Sequence, residues 1–205
     1  DGGVIPPGWS VQNIFGSDWT VYTGADPCGQ FPGNQTGGSG PYAIVNNFCD
    51  GPFSGSFLVT PPMDLSASAN AVMQWANDFV DLGSGTLAVV DVSIDGGENW
   101  TTVWQAPGDL PGPSTQVVDI SFAAGHAGVL ARFHYEGVFA YWWQVDDVKV
   151  GAFACSTLSG GLVVGTVSNA NTGGGVNGAT VTNLPDDGST TRAPTSTSGC
   201  PMPMG

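Results

Sequence analysis

The sequence predicts an all-β fold, a sandwich of short antiparallel strands. Three observations carry this. Apolar residues recur with a period of two in most windows. Turn signals rich in Gly and Pro separate those windows, with 32 Gly and 15 Pro among 205 residues. No window supports a long amphipathic helix. A hydrophobic content of 41% with seven Trp is enough to fill a core, and the length allows one to two domains.

Taken along the chain, short strands are expected at Trp19–Tyr22, Tyr42–Phe48 and Phe57–Thr60. From Ala71 to Val80, Ala71, Met73, Trp75 and Phe79 share one face, while Gln74 and Asp78 take the other. From Thr86 to Ile94, Ala88, Val90, Val92 and Ile94 alternate with Leu87, Val89, Asp91 and Ser93. Short strands follow at Thr101–Gln105 and Gln116–Ile120, with turns at Pro107-Gly108-Asp109 and Pro111-Gly112-Pro113. From Val129 to Glu136, Val129, Ala131, Phe133 and Tyr135 alternate with Arg132, His134 and Glu136; Tyr141–Val150 closes the series. Composition shifts after Gly151, and no aromatic residue occurs from Leu158 to Gly205. The expected organisation is a sandwich over 1–151, then a linker and a partial β module or tail over 152–205. In that second part Leu162–Val167 and Ala179–Thr182 keep a β pattern, and Asp186–Gly205 reads as loop or tail.

Charge excludes several functions. Three Lys and Arg against 17 Asp and Glu give a net charge of −14. So few cations cannot neutralise a phosphate backbone or an anionic membrane surface, so neither nucleic acid nor membrane insertion is expected. No apolar run approaches the roughly 20 residues that span a bilayer. The chain starts at Asp1 without a signal-peptide pattern, as a processed fragment is expected to.

The four cysteines form no C-x-x-C pair, which removes the usual zinc and thioredoxin spacings. They allow three pairings. Cys28–Cys49 with Cys155–Cys200 is favoured, because each bridge then stays within one segment; free buried thiols are the alternative. With scarce Lys and abundant Gly, Ser and Thr, this points to a secreted or cell-surface protein.

Ser93-Ile94-Asp95-Gly96-Gly97-Glu98-Asn99-Trp100 is the sharpest local pattern. It fits a hairpin in which Asp95 accepts backbone N–H bonds, Gly96 and Gly97 take positive φ, and Trp100 packs back over the turn. A sialidase propeller would need this box once per blade, and it occurs once. Asp146-Asp147 lies in an otherwise apolar strand. Alternation would turn one carboxylate towards the apolar side, where it needs a cation or several N–H donors. With so few basic residues, a metal is the economical partner, and hard oxygen ligands favour calcium. The alternative is an edge position where both carboxylates are solvated. No catalytic constellation emerges: His126, His134, Glu98 and Glu136 accompany no nucleophile motif, so no catalytic residue is assigned. Tyr141 and Trp142 are candidate ligand-binding aromatics, with Trp142 expected to face outward by alternation.

Five ordered motifs resemble one family. They are Asp1-Gly2-Gly3-Val4-Ile5-Pro6-Pro7-Gly8-Trp9, Leu58-Val59-Thr60-Pro61-Pro62-Met63-Asp64-Leu65-Ser66, the Val92–Trp100 hairpin, Arg132-Phe133-His134-Tyr135, and Trp143-Gln144-Val145-Asp146-Asp147-Val148. Together, over about residues 1–150, they resemble the choice-of-anchor J and cleaved-adhesin domains, relatives of the MAM jelly roll. The segment from Gly161 to Thr182 resembles the start of a carboxypeptidase regulatory-like module. The resemblance implies a jelly-roll β-sandwich that is not itself catalytic. It implies a parent protein with a preceding peptidase, often subtilisin-like, or adhesin domain. It also implies a structural calcium between the chain start and the closing strand, which places Asp1 with Asp146 or Asp147. The expected function is therefore a calcium-stabilised accessory or adhesion domain that binds an extracellular protein or polysaccharide. The alternative is a carbohydrate-binding module using Tyr141 and Trp142.

Overall fold

The computed structural model describes residues 3–81, 85–152, 181–182 and 190–191. The chain divides into two units, Asp1–Phe153 and Ala154–Gly205. The first is an all-β sandwich of two five-stranded antiparallel sheets. Its strands are β1 (Ser10–Gly16), β2 (Thr20–Tyr22), β3 (Tyr42–Asn46), β4 (Phe53–Val59), β5 (Val72–Val80), β6 (Leu87–Ser93), β7 (Thr101–Gln105), β8 (Leu110–Asp119), β9 (Leu130–Val138) and β10 (Trp142–Gly151). One sheet runs β1-β4-β9-β6-β7 and the other β2-β3-β10-β5-β8. A single 3-10 turn, Ser121–Ala123, is the helical element among the described residues. In the second unit β11 (Val181–Thr182) pairs antiparallel with β12 (Thr190–Thr191). The β12 residues fall in the stretch expected to be loop, since a two-residue ladder leaves no period to read.

The inner faces follow the alternation. Met73, Trp75 and Phe79 of β5 meet Ala88, Val90 and Val92 of β6 and Ala131, Phe133 and Tyr135 of β9 across the interior. Indoles fill its centre: Trp104 stacks on Trp143 with centroids 5.7 Å apart, and Trp75 meets Trp104 edge-on at 5.3 Å. Asn77 is the one polar side chain on the inner face of β5, and its Oδ1 accepts the indole N–H of Trp143 at 2.7 Å and that of Trp75 at 3.3 Å. A buried indole needs such an acceptor.

Three elements differ from the expectation. β1 has no counterpart among the expected strands. It is an edge strand with almost every residue exposed, so no hydrophobic alternation marks it. β4 begins at Phe53 rather than Phe57, because Ser54, Gly55 and Ser56 carry no apolar signal yet pair in register with β9. Pro111-Gly112-Pro113, expected as a turn, lies inside β8. That strand is the edge of its sheet, where a residue without an N–H removes no ladder bond.

The hairpin from Ser93 to Trp100 forms as expected. Asp95 Oδ1 accepts the Asn99 backbone N–H at 2.9 Å, and its Oδ2 accepts Asn99 Nδ2 at 2.7 Å. Gly96 and Gly97 take φ of 73° and 98°, and Trp100 Nε1 donates to the Gly97 carbonyl.

Candidate functional site

The connection between β2 and β3 spans residues 23–41 and crosses the outer face of the β2-β3-β10-β5-β8 sheet. The Cys28–Cys49 disulfide fastens it, with a Cα separation of 5.6 Å. Buried Asp26 accepts Asn46 Nδ2 at 3.0 Å and the Gln30 backbone N–H at 2.9 Å. Further along, the Gln35 backbone N–H donates to Gln144 Oε1. Phe31 sits on the sheet and builds a second cluster with Tyr22, Tyr42, Ile44 and Trp142.

This cover corrects the expected exposure of Trp142. Alternation does turn it to the outer face, but that face is covered, and the residue is only 8% exposed. Its ring lies 4.7 Å from Phe31 and stacks on Tyr141 at 5.1 Å. Its Nε1 donates to Asp78 Oδ2 at 2.8 Å, while Asp78 Oδ1 accepts the Gly112 backbone N–H. Burial raises the Asp78 pKa above its ordinary value, opposed by these two bonds. Tyr141 keeps a partly exposed ring.

Asp146 and Asp147 also depart from the expectation. The ladder between β10 and β5 slips between Asp146 and Lys149, and Asp147 takes a left-handed φ of 49° in the resulting bulge. Alternation therefore fails at the pair. Asp146 is partly buried and accepts Asn34 Nδ2 at 2.8 Å and the Asp147 backbone N–H at 2.7 Å. A Cβ at Gly38 would strike its carboxylate, so glycine there lets the loop lie against Asp146 as it stands. Asp147 is exposed and lines a shallow cleft of about 300 Å³ together with Lys149. Neither carboxylate is a buried charge without a partner, so the charge-balance argument for calcium no longer applies. Calcium takes six to eight oxygens. Asp1, the remaining residue of the expected calcium set, lies outside the described residues, as do Cys155 and Cys200. Among the described residues, the group of three metal-ligating side chains is Asp26 with Cys28 and Cys49, whose sulfurs are bonded to each other.

A cluster of exposed aromatic rings lies where β3 leads into β4 and β9 into β10. Phe48 is 48% exposed, Phe53 47% and Phe139 67%. Phe53 pairs with Val138 across the ladder and packs edge-on against Phe139 at 5.6 Å. Phe48 packs edge-on against Tyr141 at 5.8 Å. The rim is held in place from beneath. Buried Asn47 donates from Nδ2 to the Gly137 carbonyl at 2.8 Å, and its backbone N–H donates to Tyr141. The Phe139 N–H donates to the Pro52 carbonyl, fixing a left-handed φ of 51° at a bulky residue whose ring is left in solvent. Sequence reading found Tyr141 but missed Phe48, Phe53 and Phe139, because Phe48 and Phe139 lie in connections and Phe53 opens β4, whose next three residues carry no apolar signal.

The same 48–53 segment borders an open cleft of about 620 Å³ lined by Asp18, Asp50, Tyr22, Thr23, Gly24 and Pro27, among others. Ser17 Oγ donates to the Asp50 carbonyl, and the Ser17 backbone N–H donates to the Phe53 carbonyl, so cleft and rim share one stretch of chain. Partial desolvation in the cleft raises the Asp50 pKa above its ordinary value. The Tyr22 hydroxyl bond opposes this, and the Asp26 charge adds to it.

The other sheet's outer face is occupied by its own contacts. The Arg132 guanidinium lies between the rings of Trp100 (4.2 Å) and Phe57 (4.3 Å), and its Nε donates to Asp91 Oδ2 at 2.8 Å. The His134 ring lies tilted against Phe57 at 4.3 Å, and its Nε2 meets Glu136 Oε1 at 2.8 Å. These residues brace the sheet together with Thr102, whose hydroxyl donates to Asp91 Oδ1 at 2.6 Å.

No family model matches the chain, and no curated protein matches it. Solved structures do. The K1 cleaved adhesin domain of Lys-gingipain from Porphyromonas gingivalis W83 is 19% identical with a TM-score of 0.51, over 75% of this chain and 95% of that one. The K3 domain of the same protein is 20% identical with a TM-score of 0.50, over 73% and 93%. The K2 domain is 15% identical with a TM-score of 0.51, over 75% and 93%. No helix among the described residues is long and apolar enough to cross a membrane. The likeness shows a shared fold, an adhesin-like β-sandwich.

Proposed function

We propose that this chain is a non-catalytic binding domain of a secreted or cell-surface protein, acting in adhesion or substrate attachment. The observation that carries the reading is the rim of Phe48, Phe53 and Phe139, three exposed rings at the start of β4 and on the tied connections next to it, beside an open cleft. A surface that leaves rings in water at fixed positions is the usual mark of a binding site. The cleaved-adhesin fold and the disulfide agree with an extracellular setting. The test compares the parent chain with Phe53→Ser/Phe139→Ser on arrays of polysaccharides and immobilised extracellular proteins. Retention of at least one ligand class by the parent, lost in the variant, is expected. Identical retention by both would remove the rim reading.

A choice-of-anchor J identity, a preceding peptidase or adhesin domain, and a partial carboxypeptidase regulatory-like module belong to the same proposal. Sequence resemblance supports them, and sequencing upstream of Asp1 tests the parent architecture. Calcium stabilisation rests on the resemblance alone. An ion bound only by the folded state at one hundred times its Kd adds about 2.7 kcal/mol. A lower melting temperature in chelator therefore carries that proposal, and an unchanged melt removes it. A carbohydrate-binding module is the second reading, favoured by the partly exposed Tyr141 ring stacked on Trp142.

A further inference from the structure

We infer that the partner is a cationic peptide segment of an extracellular protein. A Lys or Arg side chain of the segment enters the cleft between Asp18 and Asp50, and its apolar neighbours lie on Phe53 and Phe139. This rests on the rim reading above and names the partner class. Four observations lead to it.

The first is charge. The chain carries −14, and of its three basic residues Arg132 is bound to Asp91 and Lys149 lines the separate cleft beside Asp147. Among the described residues no cation lines the 620 Å³ cleft. The second is what the acidic groups lack. Asp18 Oδ1 accepts Asn13 Nδ2 and Ser56 Oγ, both at 2.8 Å, and both donors are neutral. The donor to the Asp50 carboxylate is the Tyr22 hydroxyl, at 3.3 Å to each oxygen. Among the described residues no ionised donor bonds either carboxylate, and bonds from an ionised donor are roughly twice as strong as neutral ones.

The third observation is continuity. Asp50 stands in the cleft, while Phe48 and Phe53, two and three residues away on the same segment, stand on the rim. A single extended strand of partner can therefore meet both. The fourth separates a peptide from a polysaccharide. Phe53 meets Phe139 at 60° and Phe48 meets Tyr141 at 68°, so these pairs offer angled niches for branched apolar side chains rather than one flat platform for a sugar ring. Paired with an acidic cleft, such niches complement a segment that alternates basic and apolar residues, and the charge would steer its approach.

The experiment measures binding of the intact chain to the immobilised hexapeptide Lys-Leu-Lys-Phe-Lys-Leu. The counterpart with Glu in place of Lys and a panel of neutral oligosaccharides serve as controls. The lysine peptide is expected to bind and the glutamate peptide not. Affinity should fall about tenfold between about 0.05 and about 0.3 M salt, because the contact charges are screened. Asp18→Asn/Asp50→Asn keeps an acceptor oxygen at each position and should weaken binding at least about tenfold. Phe53→Ser/Phe139→Ser should weaken it as well. The salt titration uses the parent chain, so it decides even where a variant fails to fold. Equal binding of both peptides, no salt dependence, or retention of oligosaccharides alone would overturn the cationic partner. If the rim variant also loses the ligands found on the arrays, that outcome leaves the rim reading standing. Peptide binding that ignores the rim substitutions would overturn the rim reading itself.

Discussion

Removing the Cys28–Cys49 bridge should loosen the whole cover over the outer sheet face. The two cysteines are 21 residues apart in sequence. Closing a loop of that length restricts the unfolded chain by about 11 cal/mol/K, or about 3 kcal/mol at 25 °C. The folded side adds to this, because the bridged loop holds Phe31 over Trp142 and aligns Gln35 with Gln144. For a unit running from Asp1 to Phe153, the entropy of unfolding is about 0.3 kcal/mol/K, so 3 kcal/mol lowers the melting temperature by about 10 °C. The assay is thermal unfolding of Cys28→Ala/Cys49→Ala against the parent, followed by circular dichroism. Tryptophan emission should shift to the red before the main transition as Trp142 becomes wet. A variant that melts within about 2 °C of the parent with unchanged emission would show that the loop is held without the bridge, and would refute the reasoning.

Asn77→Leu leaves the indole N–H groups of Trp143 and Trp75 buried without an acceptor, at about 1–3 kcal/mol each. Urea unfolding should show a loss of about 2–6 kcal/mol, and a loss under about 1 kcal/mol would contradict the role given to Asn77. Arg132→Met leaves Asp91, which is 4% exposed, with the Thr102 hydroxyl but without its ionic partner, and should cost about 3 kcal/mol. Arg132→Lys restores the charge but not the planar stack between Trp100 and Phe57, so it should melt between Met and the parent; equal melts for Lys and Met would refute the stacking argument. Bonds from the Asn99 backbone, the Asn99 side chain and Ser93 hold the Asp95 carboxyl down at about 2. A lowered folded-state pKa contributes stability that is present above the ordinary value of 3.8 and is lost as pH falls through about 2. Amide exchange in the hairpin should therefore quicken over that window in the parent and lose this pH step in Asp95→Asn; the same step in both would assign it to another group.

Legibility followed periodicity. β5, β6 and β9 each bury one face in the common core, so a period of two exposed their inner residues in the sequence. β1 and the first half of β4 carried no such period, one because it is an exposed edge and the other because its buried positions are Ser. At the candidate site the same rule worked against the reading. Alternation assigned Trp142 to the correct face but could not show that residues 23–41 return over that face. It also failed at Asp146-Asp147, where the bulge inserts an extra residue and turns Asp147 out of step.

The sequence by itself determined the all-β class, the Asp95 turn, the inner faces of the main strands and the scarcity of cations. Each of these is a local property of residue type and spacing. Only the tertiary structure decided that Trp142 is covered, that Asp146 accepts hydrogen bonds from a loop 112 positions away in sequence, and that three phenylalanines form a rim beside an acidic cleft. Those features depend on long-range loop placement, which hydrogen bonds and a disulfide fix across the sheet and which no local period encodes.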